Sequence, residues 1–260
     1  MLANLYRYRR YILSNAWLDL RRQYAGTGLG ALWNILLPLA EIAIYATIFV
    51  QVMNLRAPGK SSYAFVLYMC SGLFPWQTFS RAISMGSNAL IANTHYLQQL
   101  ALPEEVFVAR QVLSDALALM IYLALLVLIG PLLGQPPGWT NLLLPLVGCL
   151  FQFFAFGLAL FLAVLRVFFQ DVGHALGVVL RMWMWLSPVI WVETILSPQA
   201  LAVLRWNPAY PYLVGFHDLF LQHQVPSWST WGQMLAWALA STFLGALVLR
   251  RLRPELRDIL

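Results

Sequence analysis

Residues 111–165 read QVLSDALALMIYLALLVLIGPLLGQPPGWTNLLLPLVGCLFQFFAFGLALFLAVL and hold two long apolar runs. Each run has about the 20 residues that a helix needs to cross a bilayer. Between them, residues 131–138 contain three prolines and two glycines, which end helices and form turns. The pattern therefore predicts a hairpin of two membrane-spanning helices, over 111–133 and 142–165.

The same apolar pattern recurs on both sides of this hairpin. Apolar residues make up 61% of the 260-residue chain and charged residues only 10%, far from the balance of a soluble domain. We therefore expect a single all-α integral membrane domain over residues 1–260, with six transmembrane helices. The four further spans are predicted at 31–53, 64–85, 175–192 and 229–249.

Two segments of the chain lie outside the six spans. Within residues 1–30, apolar side chains recur at helical spacing over 2–24, which predicts an amphipathic helix on the membrane surface. This helix is either an anchor or the wall of a cytoplasmic mouth that carries Arg21, Arg22 and Tyr24. Residues 193–228 are rich in proline and aromatic residues, and predict short outer-face helices before the last span and the tail, 229–260.

Basic residues predict the orientation, since they concentrate on the cytoplasmic side of membrane proteins. With the N-terminus inside, three basic residues flank the spans outside: Arg56, Lys60 and Arg205. Eleven then lie inside: Arg7, Arg9, Arg10, Arg21, Arg22, Arg110, Arg166, Arg250, Arg251, Arg253 and Arg257. Both termini are therefore expected in the cytoplasm, and the positive total charge requires no nucleic-acid partner.

Motifs for nucleotide or metal chemistry are incomplete in this sequence. Gly59, Lys60 and Ser61 match the end of a phosphate-binding loop, but the first glycine and the preceding strand are missing. His217 and His223 are six residues apart, and so lie on opposite sides of a helix rather than sharing a metal. We expect no catalytic residue, no metal site and no cofactor in this chain.

Polar residues within the spans are the remaining candidates for function, because a polar group in hydrocarbon needs a partner or a water-filled path. Asn34, Glu41 and Tyr45 fall on one face of the first span, which is either a channel wall or a helix contact in which Glu41 pairs with Arg181 or Arg81. Trp183 and Trp185 either offer a stacking surface for sugars or pack in the core. The predicted channel residues are Trp33, Asn34, Glu41, Tyr45, Trp76, Arg181, Trp183 and Trp185.

Several stretches in order resemble the permease subunits of bacterial ABC-2 exporters for polysaccharides, and most closely those for capsular polysaccharide. The N-terminal stretch is DLRRQYAGTGLGALWNILLPLAEIAIYATIF at 19–49. The others are GLFPWQTFSRAISMGSNALIANTHYLQQLALPEEVF at 72–107, FFQDVGHAL at 168–176, SPVIW at 187–191, WNPAYPY at 206–212 and LRRLRPELRD at 249–258.

The resemblance implies a homodimeric permease in the bacterial inner membrane, with two copies of a separate ATPase subunit that bind ATP and Mg²⁺. Residues 88–105 would supply the helix that couples to the ATPase, with Asn93, His95, Glu104 and Glu105 as contact residues. The transported substrate would be a lipid-linked polysaccharide moving outward, among membrane lipids and with a periplasmic export protein as a further partner.

Two other functions fit the same apolar pattern. One is an ABC-2 permease for drugs or lipids, whose channel would be lined by aliphatic and Met side chains. The other is a membrane enzyme acting on a lipid carrier, which would require an acid and base such as Asp171, His174 or Asp218 to converge.

Overall fold

A computed structural model of the chain describes residues 1–52, 63–99, 102–193 and 196–259. Its regular structure, over these ranges, is helical without strands. The outer loop with Arg56 and Lys60 lies outside the described residues. The α-helices are α1 (Leu2–Arg7), α2 (Arg9–Arg22), α3 (Trp33–Ala46), α4 (Ala64–Ala92), α5 (Thr94–Gln99), α6 (Glu104–Ile129), α7 (Leu144–Phe168), α8 (Val172–Trp185), α9 (Pro198–Leu204), α10 (Tyr210–His217) and α11 (Trp228–Ile259).

Four helical segments are long and apolar enough to cross a membrane: Gly30–Val50, Glu104–Leu133, Trp139–Phe168 and Trp228–Leu256. They correspond to the predicted spans one, three, four and six, and the protein is therefore a multi-pass membrane protein. The second predicted span forms the 29-residue helix α4. Gln77 and Arg81 on α4 make it less apolar than these four.

The fifth predicted span, 175–192, does not form one continuous helix. Helix α8 has 14 residues, so it is about 21 Å long, whereas the hydrocarbon core is about 30 Å thick. It ends at Trp185 because Pro188 lacks an N–H to continue the helix and restricts the residue before it. A turn replaces the last part of the predicted helix.

The predicted hairpin between spans three and four is present. Gly134 takes a left-handed conformation, with φ of 87°, directly after the short 3₁₀ turn that ends the first arm. The two arms then pack closely, since a Cβ at Gly148 on α7 would lie 3.0 Å from Met120 on α6. The Gln135 side chain in the turn donates hydrogen bonds to the carbonyls of Phe220 and Leu221, which fixes the outer segment to the hairpin.

The N-terminal amphipathic helix is interrupted only at Tyr8, between α1 and α2. Ile12, Ala16 and Leu20 form its buried stripe, which faces the bundle. Tyr6 and Trp17, on the predicted apolar face, are exposed. An exposed aromatic face next to a buried stripe suits a helix that lies between a membrane surface and its own protein.

Small residues set the distance between α7 and α11. A Cβ at Gly245 would lie 2.6 Å from the backbone oxygen of Gly157, so the two backbones are in contact at this point. Ser241 on α11 donates a hydrogen bond to the Phe154 carbonyl on α7, one turn away.

Replacing Gly245 with Val should destabilise the protein by about 1–3 kcal/mol, because the backbone of α7 cannot move away from the added side chain. The melting temperature of the purified protein in detergent measures this. Gly232→Val is the matched control, since Gly232 lies on the same helix with nothing within 4 Å of its Cβ position. Equal melting temperatures for the two variants would contradict the close contact.

Candidate functional site

The polar face of span one points toward neighbouring helices. Glu41 accepts a hydrogen bond of 3.0 Å from the Gln77 side chain on α4, so neither Arg181 nor Arg81 is its partner, as the sequence had suggested. Asn34 is buried and donates to the Leu20 and Ala31 carbonyls, which joins α3 to α2. These contacts support the interpretation that this face holds helices together.

Two of the predicted channel tryptophans belong to an aromatic cluster inside the subunit. Trp76 is buried, and its ring meets the Trp183 ring edge to face at 5.7 Å. Phe79 and Phe154 also pack edge to face against Trp183, while Tyr212 stacks on Phe154. Trp76 is therefore covered by its own chain in this conformation, and its place in a channel stays a prediction.

Helices α3 and α8 leave one side of the subunit uncovered. On α3 the exposed residues include Ile35 and Ile44, and on α8 they include Val178, Arg181 and Trp185. Arg181 has no ion-pair partner in the part of the chain that the structure describes. A charge at such a position requires water or a protein partner. Trp33 and Tyr45 on α3 are only half-buried.

A polar cavity lies between α2, α4 and α6. Its volume is about 310 Å³, and it is lined by Asp19, Arg22, Gln23, Arg81, Met85, Arg110, Gln111, Ser114 and Asp115. Of the residues predicted at the cytoplasmic mouth, Arg22 faces this cavity. Arg21 instead stacks over the Trp17 ring, and Tyr24 is half-buried.

The Arg81–Asp115 ion pair beside this cavity was missed by the sequence analysis. A single aspartate within the apolar run of α6 was the available signal, since an acid inside a span needs a cation or donor nearby. Asp115 also accepts a hydrogen bond from Gln111, one turn earlier on the same helix.

The short helix α5 lies exposed between α4 and α6. Asn93 ends α4, where its side chain donates to the Ala89 carbonyl at 2.7 Å. His95 and Tyr96 are exposed on α5, and their rings contact each other. Of the predicted coupling residues, His95 is therefore on an accessible surface, and Asn93 forms the bend that presents it.

Glu104 and Glu105, which were expected as contact residues for the ATPase, lie inside the protein. Both side chains are buried, and both lie within 2.9 Å of the Arg253 guanidinium on α11. Asn4 on α1 donates a second hydrogen bond to Glu105. The two carboxylates therefore join the N-terminal helix, α6 and the C-terminal helix, and they do not present a docking surface.

The segment that follows α9, predicted to lie on the outer face, is joined to the end of α8 by Asn207. Its side-chain amide donates to the Leu186 carbonyl and to the Ser187 hydroxyl, and its oxygen accepts the Trp183 indole N–H at 2.7 Å. These bonds satisfy a helix end that would otherwise have unpaired groups. The sequence analysis quoted Asn207 in a motif but did not assign it this role.

Two carboxyl groups of the outer segment lie close together. Burial, and then the nearby Glu193, raise the pKa of Asp218 to about 6. Burial also raises the pKa of Glu193, against a hydrogen bond of 3.0 Å from the Tyr210 hydroxyl that lowers it. The outer segment is thus less negative at mildly acidic pH than its composition indicates.

The fold defines a multi-pass membrane protein in which several polar groups connect neighbouring helices. The chain belongs to the ABC-2 type transporter family, which it matches over residues 10–221. It is 28% identical, over 94% of this chain and 95% of the relative, to the O-antigen export system permease protein RfbA of Myxococcus xanthus. It is 27% identical, over 91% of each, to the polysialic acid transport protein KpsM of Escherichia coli.

Replacing Arg253 with Gln should destabilise the protein by about 2 kcal/mol, because Glu104 and Glu105 would lose the guanidinium that contacts both of them, although the N-terminal amine stays 3.8 Å from Glu105. Thermal unfolding in detergent measures the loss. Arg251→Gln is the control, since Arg251 is exposed on the same helix. Adding Glu105→Gln to the Arg253 variant should recover part of the stability; no recovery would show that the carboxylates are not the cause.

Replacing Asn207 with Ala should remove the bonds that close the end of α8 and lower stability by about 1–3 kcal/mol. Water that replaces the lost amide at the Trp183 indole N–H should also shift the fluorescence of this residue to longer wavelength. Asn141→Ala serves for comparison, because the Asn141 side-chain oxygen has no hydrogen-bond partner within the described structure. An unchanged fluorescence spectrum in Asn207→Ala would contradict the assigned role.

Proposed function

We propose that this chain is the membrane subunit of an ATP-driven exporter that moves a lipid-linked polysaccharide outward across the bacterial inner membrane. The main support for this proposal is the similarity of the chain to polysaccharide export permeases. The similarity covers more than nine-tenths of this chain and of each relative. Family membership supports the same function.

The proposed topology has six spans, with α4 and α8 as the second and fifth. Both termini lie in the cytoplasm, as the basic residues predict. The length of α4 supports its assignment, while α8 would cross together with the turn that follows it. Residues 193–228 then lie on the outer face.

The exporter is a homodimer, with the translocation path between the two copies. The uncovered sides of α3 and α8 support this arrangement, since they include an arginine that has no ion pair within the described residues of one chain. Arg181 and Trp185 would then face the path, and Glu41 and Asn34 would support its wall from behind. Arg21 and Arg22 would attract acidic groups of the substrate at the cytoplasmic mouth.

Two copies of a separate ATPase subunit supply the energy, and they bind ATP and Mg²⁺. Helix α5 is the docking element, because it is a short exposed helix held between α4 and α6. Glu104 and Glu105 follow α5 by a few residues, so a displacement of α5 by the ATPase would shift them too. Arg253 would pass that displacement on to the C-terminal helix α11.

The sequence resemblance favoured capsular polysaccharide as the cargo, whereas the relatives include an O-antigen permease as well as a polysialic acid transporter. We therefore propose polysaccharide as the substrate class, and capsular polysaccharide remains the expectation from the sequence. A periplasmic export protein is proposed as a further partner. The alternatives of a drug or lipid permease and of a membrane enzyme have no specific support in the described structure.

The ATPase rate of this protein, purified in lipid together with its partner ATPase, tests the proposal. A lipid-linked glycan should stimulate the rate, and the variant His95→Ala with Tyr96→Ala should lose most of that stimulation. Trp228→Ala is the control, since Trp228 is exposed at the other end of the bundle. Failure to associate with any ABC ATPase would contradict the proposal.

A further inference from the structure

An apolar groove lies between the start of α1, the middle of α7 and the C-terminal half of α11. Its volume is about 480 Å³, which falls within the range of about 300–1,000 Å³ for sites that bind small molecules. Thr242 and Arg250 are the two polar residues of its lining. The residues that line it are Met1, Ala3, Phe153, Leu239, Thr242, Phe243, Ala246, Leu247 and Arg250.

The groove follows one face of α11. The six lining residues of this helix recur at spacings of three and one between Leu239 and Arg250, so they share one side of the helix. Eleven residues of helix extend about 16 Å. This length is close to the thickness of one leaflet, which is half of a hydrocarbon core of about 30 Å. The groove therefore has the length of an acyl chain in a single leaflet.

Arg250 provides a free cation at one end of the groove. Three residues later on the same helix, Arg253 contacts the buried Glu104 and Glu105. Arg250, by contrast, is exposed and forms no ion pair or hydrogen bond with any residue that the structure describes. A guanidinium at a membrane surface attracts anionic headgroups, and its paired donors match phosphate oxygens. The groove thus combines an apolar slot with a site for phosphate.

The position of the groove favours lipid over a second copy of the chain. Helix α11 packs mainly against α7, whereas α3 and α8 both pack against α4. The proposed homodimer uses the uncovered side of α3 and α8, and the groove lies on a different face. Beside the groove, Phe243 is 71% exposed and Leu239 is 52% exposed. Such side chains are as apolar as the lipid tails around a membrane helix.

We propose that this groove binds one anionic phospholipid of the cytoplasmic leaflet, with its phosphate at Arg250 and one acyl chain along α11. The choice of leaflet rests on the proposed function and its topology, whereas the binding itself rests on the groove and its cation. Met1 and Ala3 line the same groove, so the chain fills the space between α1 and α11. The bound lipid therefore strengthens the attachment of the N-terminal helix to the bundle.

Native mass spectrometry and thermal unfolding of the full-length protein in mild detergent test this proposal. Phosphatidylglycerol, phosphatidylethanolamine and polyprenyl monophosphate are titrated separately, and the first bound lipid is counted. Phosphatidylglycerol should bind most tightly and raise the melting temperature, because a ligand stabilises the folded state that binds it. Arg250→Gln should weaken its binding about fivefold, which is the effect of one basic residue near an anionic headgroup.

Arg251→Gln is the matched control for charge, since Arg251 is exposed next to Arg250 and does not line the groove. Equal weakening by the two variants would overturn the proposal, because it would indicate attraction by surface charge alone. Tighter binding of polyprenyl monophosphate than of phosphatidylglycerol would also overturn it, since the groove would then belong to a carrier lipid.

A second pair of variants tests the groove itself. Ala246→Phe places a ring in the groove and should remove most of the bound phosphatidylglycerol without a change of charge. Leu244→Phe is the control, since Leu244 is exposed on the same helix and does not line the groove. Without lipid the two variants should melt at the same temperature, which separates lost binding from misfolding. Retention of the lipid by Ala246→Phe would overturn the proposal.

A photocrosslinker identifies the occupant in the native membrane. Phe243→p-benzoylphenylalanine places the reactive group at the groove and should crosslink to phospholipid. A crosslink to a second copy of the chain would overturn the proposal. The lipid titrations contain no ATPase and no glycan, so a failure of the proposed export function would leave a positive lipid result unchanged.

Discussion

The ion pair between Arg81 on α4 and Asp115 on α6 is the contact on which the arrangement of α2, α4 and α6 around the polar cavity depends. A charged side chain within a membrane domain is expensive unless a partner compensates it. The pair joins two central helices and forms the inner wall of the polar cavity. Asp19 and Arg110 then hold the surface helix over the same cavity. Paired charges therefore fix the end of α2 against α6.

The subunit has one tightly packed side and one open side. Aromatic rings of α4, α7, α8 and α10 fill the interior, and glycines bring α7 and α11 into backbone contact. On α3 and α8, by contrast, long aliphatic side chains and Arg181 remain exposed. This asymmetry is what the proposed homodimer requires, because the open side is available for a second copy.

The sequence predicted the helical class and the hairpin, because these follow from local periodicity and from turn residues, whereas a helix within residues 88–105 was expected only from the family resemblance. It placed Asn34, Glu41 and Tyr45 on one face, but not the partner of Glu41, since Gln77 is a neutral residue in another helix. Glu104 and Glu105 were expected at the surface, and their burial depends on distant partners, Arg253 and Asn4, that the local sequence does not reveal. The sequence around Trp76 and Trp183 does not distinguish tryptophans that stack on a ligand from tryptophans that pack against each other.

The central claim is that this chain conducts a polysaccharide outward when a partner ATPase hydrolyses ATP. The most direct measurement uses inside-out vesicles that contain this chain and its ATPase, and follows transfer of a labelled lipid-linked polysaccharide into the lumen. We predict ATP-dependent accumulation that is lost when the ATPase active site is inactivated. Accumulation that continues without ATP hydrolysis, or no accumulation by the intact pair with its own polysaccharide, would contradict the account.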